Sequence, residues 1–513
     1  MMKNYFKSKI LVVVAAVFCF ASCSEDFLDR PPEDSYNVEE FYSTNAEVAA
    51  AANHLYSRPW FNFVSNVSWG IGELSSGNAR TWDARNSEFG TFAITGAHGT
   101  LTQAWESLYA VIAQANSVIN TLPTNVSADI SEDVTNNSVA EARMIRATAY
   151  FYLVRIFGSV PIIEDNTQYV LDPQVPRNRV EDIYQFITMD LEYAVENLYD
   201  RTSNPNYEVG RVSSNSAKAM LAKVYLYEEN WDMAYQLSNE VINSGAFSLM
   251  EDYNDLFLLE NDNNVESVFA LQWTDSGSYS EGNALQSFYG SSGITGFADG
   301  WSALGPSISL QEAYEEGDRR YYATIMEPGA YYPDLNGGYT VPESTNFQGT
   351  GVGIKKYVVG NVGGAQQSYP NNTYIMRYAE VLLIKAEAAI KGGGPANEGL
   401  QALNEVRERA ELDPLDSYTF EDVFHERRVE LALEGEFWYD VVRQGPDFAV
   451  DFLADQEKGT YDQSVTPAVV TSEKFTPTMD DLLFPYPTNE IQNNPALLEE
   501  PVPYDFNQSE DQE

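Results

Sequence analysis

The chain has 513 residues, 76 of them Asp or Glu against 30 Lys or Arg, for a formal charge of −46. Such a surface repels a polyanion, so nucleic acid is excluded as a partner. Hydrophobic residues at 44% and aromatics at 13% belong to a chain that builds a large core, while three histidines leave little for histidine-based catalysis.

At the N-terminus, Lys3, Lys7 and Lys9 precede an apolar run from Ile10 to Phe20, too short to span a bilayer comfortably. This is the pattern of a secretion signal. The run ends Phe20-Ala21-Ser22-Cys23, small residues before a cysteine, which resembles a bacterial lipobox: residues 1–22 are removed and Cys23 carries the acyl chains. Both cysteines, Cys19 and Cys23, lie in this segment, so the rest of the chain is no disulfide scaffold. A mature chain this acidic would not adhere to anionic headgroups, so attachment falls to the lipid. Residues 23–45 read as a polar, proline-punctuated tether, and the acids after Cys23 resemble a surface-export signal.

The periodic stretches that follow are helical. Apolar steps of three and four predict helices over 46–56, 102–121, 141–157 (Ala142, Ile145, Ala149, Tyr152, Ile156) and 179–198. Residues 215–227 and 231–243 form a helical hairpin of about tetratricopeptide length, and 374–391 with 397–410 form a second. Such pairs bury their apolar faces by stacking on neighbours, so the helices are expected to make one curved scaffold, with pairs spanning about 102–245 and 374–440. Two regions lack the period: 61–99, rich in Gly, Ser, Asn and Trp, and 276–305, richer still in glycine. Short strand-like runs at 267–273 and 354–359 suggest small hairpins, and an acidic tail occupies 507–513.

Several segments together resemble the SusD/RagB family. They are Ala140–Ala147 with Tyr150–Pro161, the hairpin at 215–249, Thr373–Val381, Ala402–Arg407, Glu426–Asp440, and Leu483-Phe484-Pro485-Tyr486-Pro487. The resemblance implies a mainly α fold, a scaffold of tetratricopeptide-like helix pairs with long irregular loops and a few short β-hairpins, in one domain over 46–506. It also implies a non-enzymatic, lipid-anchored outer-membrane protein that binds nutrients for a TonB-dependent, SusC-like transporter and needs no cofactor. In a chain short of basic residues, Arg143, Arg146, Arg155, Arg427 and Arg428 are expected to pair with carboxylates rather than with a ligand.

Other chemistries find little support. His54, His98 and His425 are isolated, which argues against a zinc site, and Gly349-Thr350-Gly351-Val352-Gly353 lacks the Lys-Ser/Thr of a phosphate loop. A glycoside hydrolase would need two carboxylates across a sugar; Asp275, Glu281 and Asp299 are candidates, but among 76 acids some pair is always suitably spaced.

Neutral sugars present apolar C–H faces rimmed by hydroxyls and favour aromatic platforms beside paired hydrogen-bonding groups. The first irregular region supplies Asn78, Arg80, Trp82, Asp83 and Arg85; the second supplies Tyr279, Phe288, Tyr289, Phe297 and Trp301. Trp82, Tyr289 and Trp301 are therefore the expected platforms, with Asn78, Arg80 and Asp83 as polar contacts. The ligand is expected to be a neutral oligo- or polysaccharide, and a peptide is the alternative within the same family.

Overall fold

The computed structural model describes residues 42–507 apart from 170–172, 276, 278, 295–299, 346, 364, 463 and 467. The signal segment, Cys23, most of the tether, Phe297 and Asp299 lie outside the described residues, as does the acidic tail beyond 507.

Seven helices carry the frame in succession. After two short helices, α1 (Asn45–Ala50) and α2 (Ser87–Thr91), come α3 (Gly99–Asn125), α4 (Glu132–Phe157), α5 (Val180–Asn197), α6 (Ser214–Tyr227) and α7 (Trp231–Ser244). Beyond a long irregular region whose short helices include α8 (Leu285–Tyr289) lie α9 (Tyr378–Ala388) and α10 (Ala396–Arg409). Then come α11 (Phe420–Glu430) and α12 (Phe437–Val442). Each long helix packs on the next: α3 on α4, α4 on α5, α5 on α6, α6 on α7, α7 on α9 and α9 on α10. That order is the stacking of helix pairs read from the sequence.

Local chemistry sets the boundaries. Ser213 and Ser216 form a capping box at the start of α6, the Asn230 side chain accepts the Met233 N–H at α7, and Gly245 ends α7 in the left-handed region at φ 67°. Helix α4 is buried on nearly all sides because α3, α5 and α6 enclose it, so its sequence stripe understates its burial. It also begins at Glu132, earlier than the periodicity indicates.

Three of the five arginines expected to pair with carboxylates do so in the core. Arg146 binds Asp190 through two hydrogen bonds of 2.8 Å, Arg155 reaches Glu436 at 3.0 Å, and Arg427 lies 2.9 Å from both Glu380 and Asp440. Arg143 lies over the Tyr193 ring, 4.1 Å from its centre. For Arg143 and Arg428 the expected pairing does not form: among the described residues no carboxylate lies within ion-pair distance of either.

Four expectations need correction. Region 61–99 is not without helix: Phe63–Ser75 forms a buried π-helix. Its glycines disguise it, and they are there for packing, since a methyl at Gly72 would overlap the Gly435 carbonyl. The helix expected over 46–56 is α1 followed by a 3₁₀ turn at Asn53–Tyr56. The segment Thr373–Arg377 is a strand, and only from Tyr378 does the chain become helical. This strand pairs antiparallel with Ser267–Leu271, so the strand read near 267–273 belongs to a long-range ladder rather than a hairpin. Of 354–359 only Ile354 is paired, in the short strand Gly353–Ile354. Local hairpins do occur, at Tyr331–Tyr332 with Tyr339–Thr340 and at Thr460–Asp462 with Val469–Thr471.

Strands are numbered β1 (Ala79–Thr81), β2 (Ser267–Leu271), β3 (Leu304–Pro306) and β4 (Thr373–Arg377).

Candidate functional site

The two irregular regions meet. β1 pairs antiparallel with β3, Ala79 opposite Pro306, Arg80 opposite Gly305 and Thr81 opposite Leu304. The Thr81 hydroxyl extends the ladder by donating to the Ala303 carbonyl at 2.5 Å. Trp82 therefore leaves one strand beside the point where Trp301–Ala303 enters the other, although the two tryptophans are more than two hundred positions apart in sequence.

Helix α8 holds the second strand from behind. The N–H groups of Trp301, Ser302 and Ala303 donate to the carbonyls of Ser287, Gly290 and Phe288, and Gln348 Nε2 donates to the Ser302 carbonyl at 3.2 Å. The Trp301 ring stands edge to face on Phe288 at 5.1 Å, and Phe288 leans on the fully buried Trp69 at 5.4 Å. Three aromatic rings thus lead from the core to the surface. Trp82 and Trp301 are both half-buried, and the Trp301 ring is backed by Phe288.

The remaining predicted residues divide. Arg80 donates to the Lys458 carbonyl at 2.8 Å and to Glu473 at 3.1 Å. Asp83 is gripped by Arg85 through bonds of 3.0 and 2.5 Å, which holds its carboxyl below the usual range. Both remain reachable at the rim. Two expectations are corrected. Tyr289 is 2% exposed on α8, its hydroxyl directed at the Leu433 carbonyl, and burial pushes its phenol well up, so it offers no ring face to a ligand. Asn78 is 0% exposed and bonded to Glu73 and Arg428 beneath β1.

Tyr279, present in the second region but not singled out as a platform, is 62% exposed with its ring edge on Phe61 at 4.9 Å. Its glycine- and serine-rich surroundings were the available signal. Glu73 had none, being one acid among many. Of the hydrolase candidates within the described residues, Asp275 is exposed and Glu281 half-buried.

Grooves lie elsewhere too. One of about 640 Å³, walled by Phe92, Ile94, Met479, Leu483 and Tyr486, contains neither tryptophan. A shallower one of about 460 Å³ begins at Ala84 and Arg85, just beyond Trp82. An extended sugar chain is better matched by a flat aromatic face than by an apolar-walled hollow, so volume alone does not locate the site. Among the described residues, no helix is long and apolar enough to cross a membrane.

A stacked helical frame whose two irregular regions are joined by a short ladder defines a mainly α-helical scaffold. The chain belongs to the SusD family, whose profile matches residues 265–502, while residues 26–226 match a second profile described as starch-binding and associating with the outer membrane. A SusD-like protein of Bacteroides ovatus is 37% identical over 562 aligned positions, covering 99% of this chain and all of its own. A crystal structure with xylogluco-oligosaccharide superposes with a TM-score of 0.80 at 36% identity, covering 90% of this chain and 99% of that one. A laminarin-binding SusD-like protein superposes at 0.70 with 25% identity, covering 88% and 98%.

Proposed function

We propose that the protein captures a neutral oligo- or polysaccharide on the surface formed by Trp82 and Trp301, with Arg80 and Asp83 as hydrogen-bonding groups at its rim and Tyr279 as a further exposed ring. The observation that carries this reading is the β1–β3 ladder, which brings two half-buried tryptophans from distant loops to neighbouring places at one end of the strand pair. Flat rings bury the apolar faces of a pyranose while rim groups replace the water lost by its hydroxyls. The oligosaccharide-bound relative at 36% identity makes xylogluco-oligosaccharide the first ligand to try.

In this reading the protein is a binder and not a hydrolase. It is anchored in the outer membrane through lipid on Cys23, exposed on the extracellular face, and passes its ligand to a SusC-like, TonB-dependent transporter. The lipobox and the outer-membrane profile support the location. Calorimetry with xylogluco-oligosaccharide on the wild type and on Trp82→Ala/Trp301→Ala tests the site: binding retained by the double variant at wild-type strength overturns it. Membrane fractionation of Cys23→Ala tests the anchor, which is refuted if the variant still sediments with the outer membrane. Shortened sugars after long incubation would restore the hydrolase.

A further inference from the structure

Asn78 sits under the ligand surface, immediately before β1, and its amide is held at both ends. Nδ2 donates to Glu73 Oε2 at 3.1 Å, and Oδ1 accepts from Arg428 Nε at 2.9 Å. One partner only accepts and the other only donates, so together they dictate which way the amide points. The other Glu73 oxygen accepts the Gly435 N–H at 2.6 Å. Arg428 uses another donor on Gln456 at 2.7 Å and lies 5.3 and 5.5 Å from the ring centres of Phe437 and Phe452. Glu73 is 0% exposed and Arg428 8%, and among the described residues neither has a directly bonded counter-ion. A buried carboxylate and a buried guanidinium thus meet through a single amide.

The other groups facing Glu73 are already engaged. The Leu433 N–H also points to it, Lys356 lies nearby but donates to Glu434 at 2.9 Å and to the Ala432 carbonyl at 2.6 Å, and the Tyr289 hydroxyl is directed at the Leu433 carbonyl. The relay leads outward through the backbone. The Asn78 carbonyl accepts the Ser307 N–H at 2.9 Å, the Ser307 hydroxyl donates to the Gly77 carbonyl at 2.5 Å, and the next residue opens the strand that leads to Trp82.

We infer that Glu73, Asn78 and Arg428 are positioning residues for the Trp82–Trp301 surface, and that the surface binds its ligand more tightly when Glu73 is ionised. The ligand half of this inference rests on the glycan reading above. An ionised Glu73 accepts from Gly435 and Asn78 together. A proton on the carboxyl removes acceptor capacity on one side, and the Asn78 amide cannot reverse without turning its NH₂ toward the Arg428 donor. The base of β1 then loses a hydrogen bond to a charged group. Burial raises the Glu73 carboxyl to about 7, which puts the change near neutral pH.

Two readouts on the purified protein separate the inference from the site assignment. Amide hydrogen exchange over residues 74–83 and 301–308 in the unliganded wild type, corrected for intrinsic rates, is expected to lose protection as pH falls from about 8.5 to about 5.5, and to be pH-independent in Glu73→Gln. A flat wild-type profile, or a Glu73→Gln profile that follows the wild type, overturns the relay whether or not any sugar binds. Calorimetry with xylogluco-oligosaccharide over the same range is expected to show affinity about tenfold weaker at the acid end for the wild type, and weak, pH-independent binding for Glu73→Gln. Should Glu73→Gln fail to fold, Arg428→Lys, which keeps the charge but not the two-partner reach, is expected to flatten both profiles, and wild-type behaviour in it overturns the relay. No sugar binding at any pH, with exchange still pH-dependent, refutes the glycan reading and leaves the positioning role supported.

Discussion

Arg377 Nη1 lies 2.9 Å from Glu430 Oε1 with both side chains at 0% exposure, tying strand β4 to helix α11 across 53 positions of sequence. The pair is the centre of a network. Arg377 also reaches Glu266 at 2.5 Å and Glu434 at 2.8 Å, while Glu430 receives Arg409 at 2.5 Å and Arg320 at 3.2 Å. Burial alone would push the Glu430 carboxyl up, but Arg409, Arg377 and Arg320 together hold it well below the usual range. In a chain so rich in acid, the scarce arginines are spent joining segments that the helix stack leaves apart.

Removing the cation should therefore be severe. Arg377→Met is expected to cost about 3–5 kcal/mol, because three buried carboxylates lose a shared partner. Urea unfolding measures it; a loss below about 1 kcal/mol would show that the network adds little.

Lys223 makes a second such point, its Nζ 3.0 Å from Glu380 and 2.8 Å from Glu436 at 1% exposure. Lys223→Met leaves two buried carboxylates near each other, and a fall in stability of about 3 kcal/mol or more is expected. Adding Glu436→Gln should recover part of that loss, which a double-mutant cycle would detect.

Acid should unfold the protein over a defined range. Glu436 is held down to about 2, chiefly against burial and by Lys223 and Arg155, and Glu434 and Asp440 are lowered too. Folded values below unfolded ones mean that the unfolded chain takes up protons first. These groups therefore contribute fully above about pH 4.5 and progressively less as pH falls toward about 2. Thermal melts between those values should fall steeply, and a flat melting temperature would contradict the assignment.

The corrected position of Tyr289 has its own test. Tyr289→Phe removes only a long hydroxyl contact of 3.4 Å, so stability should change by less than about 1 kcal/mol and sugar binding should not change. Loss of binding in this variant would return Tyr289 to the ligand surface.

Gly72→Ala probes the π-helix. The new methyl meets the Gly435 backbone, which cannot swing aside like a side chain, and a loss of about 2–3 kcal/mol is expected by denaturant unfolding.

Much of this architecture is legible in the residues. The paired helices, their caps and the ion pairing of Arg146, Arg155 and Arg427 follow from period, capping chemistry and the rule that buried charges need partners. The π-helix was hidden because Gly70 and Gly72 read as loop residues when no neighbour is in view. Tyr289 and Asn78 were misplaced for a related reason: an aromatic or amide among glycines looks the same from the sequence whether it faces water or the core.

The acidic composition, the lysine-then-apolar N-terminal pattern ending in Ala21-Ser22-Cys23, the helical repeat and the presence of two aromatic loop regions belong to the sequence alone, because each depends on residue type and on spacing within a few turns. The tertiary structure decided that the two regions meet at β1 and β3, that Trp82 and Trp301 are half-buried while Tyr289 and Asn78 are fully buried, and that Glu73 faces Arg428 through an amide. Those outcomes depend on contacts between segments hundreds of residues apart, whose register and burial no local pattern encodes.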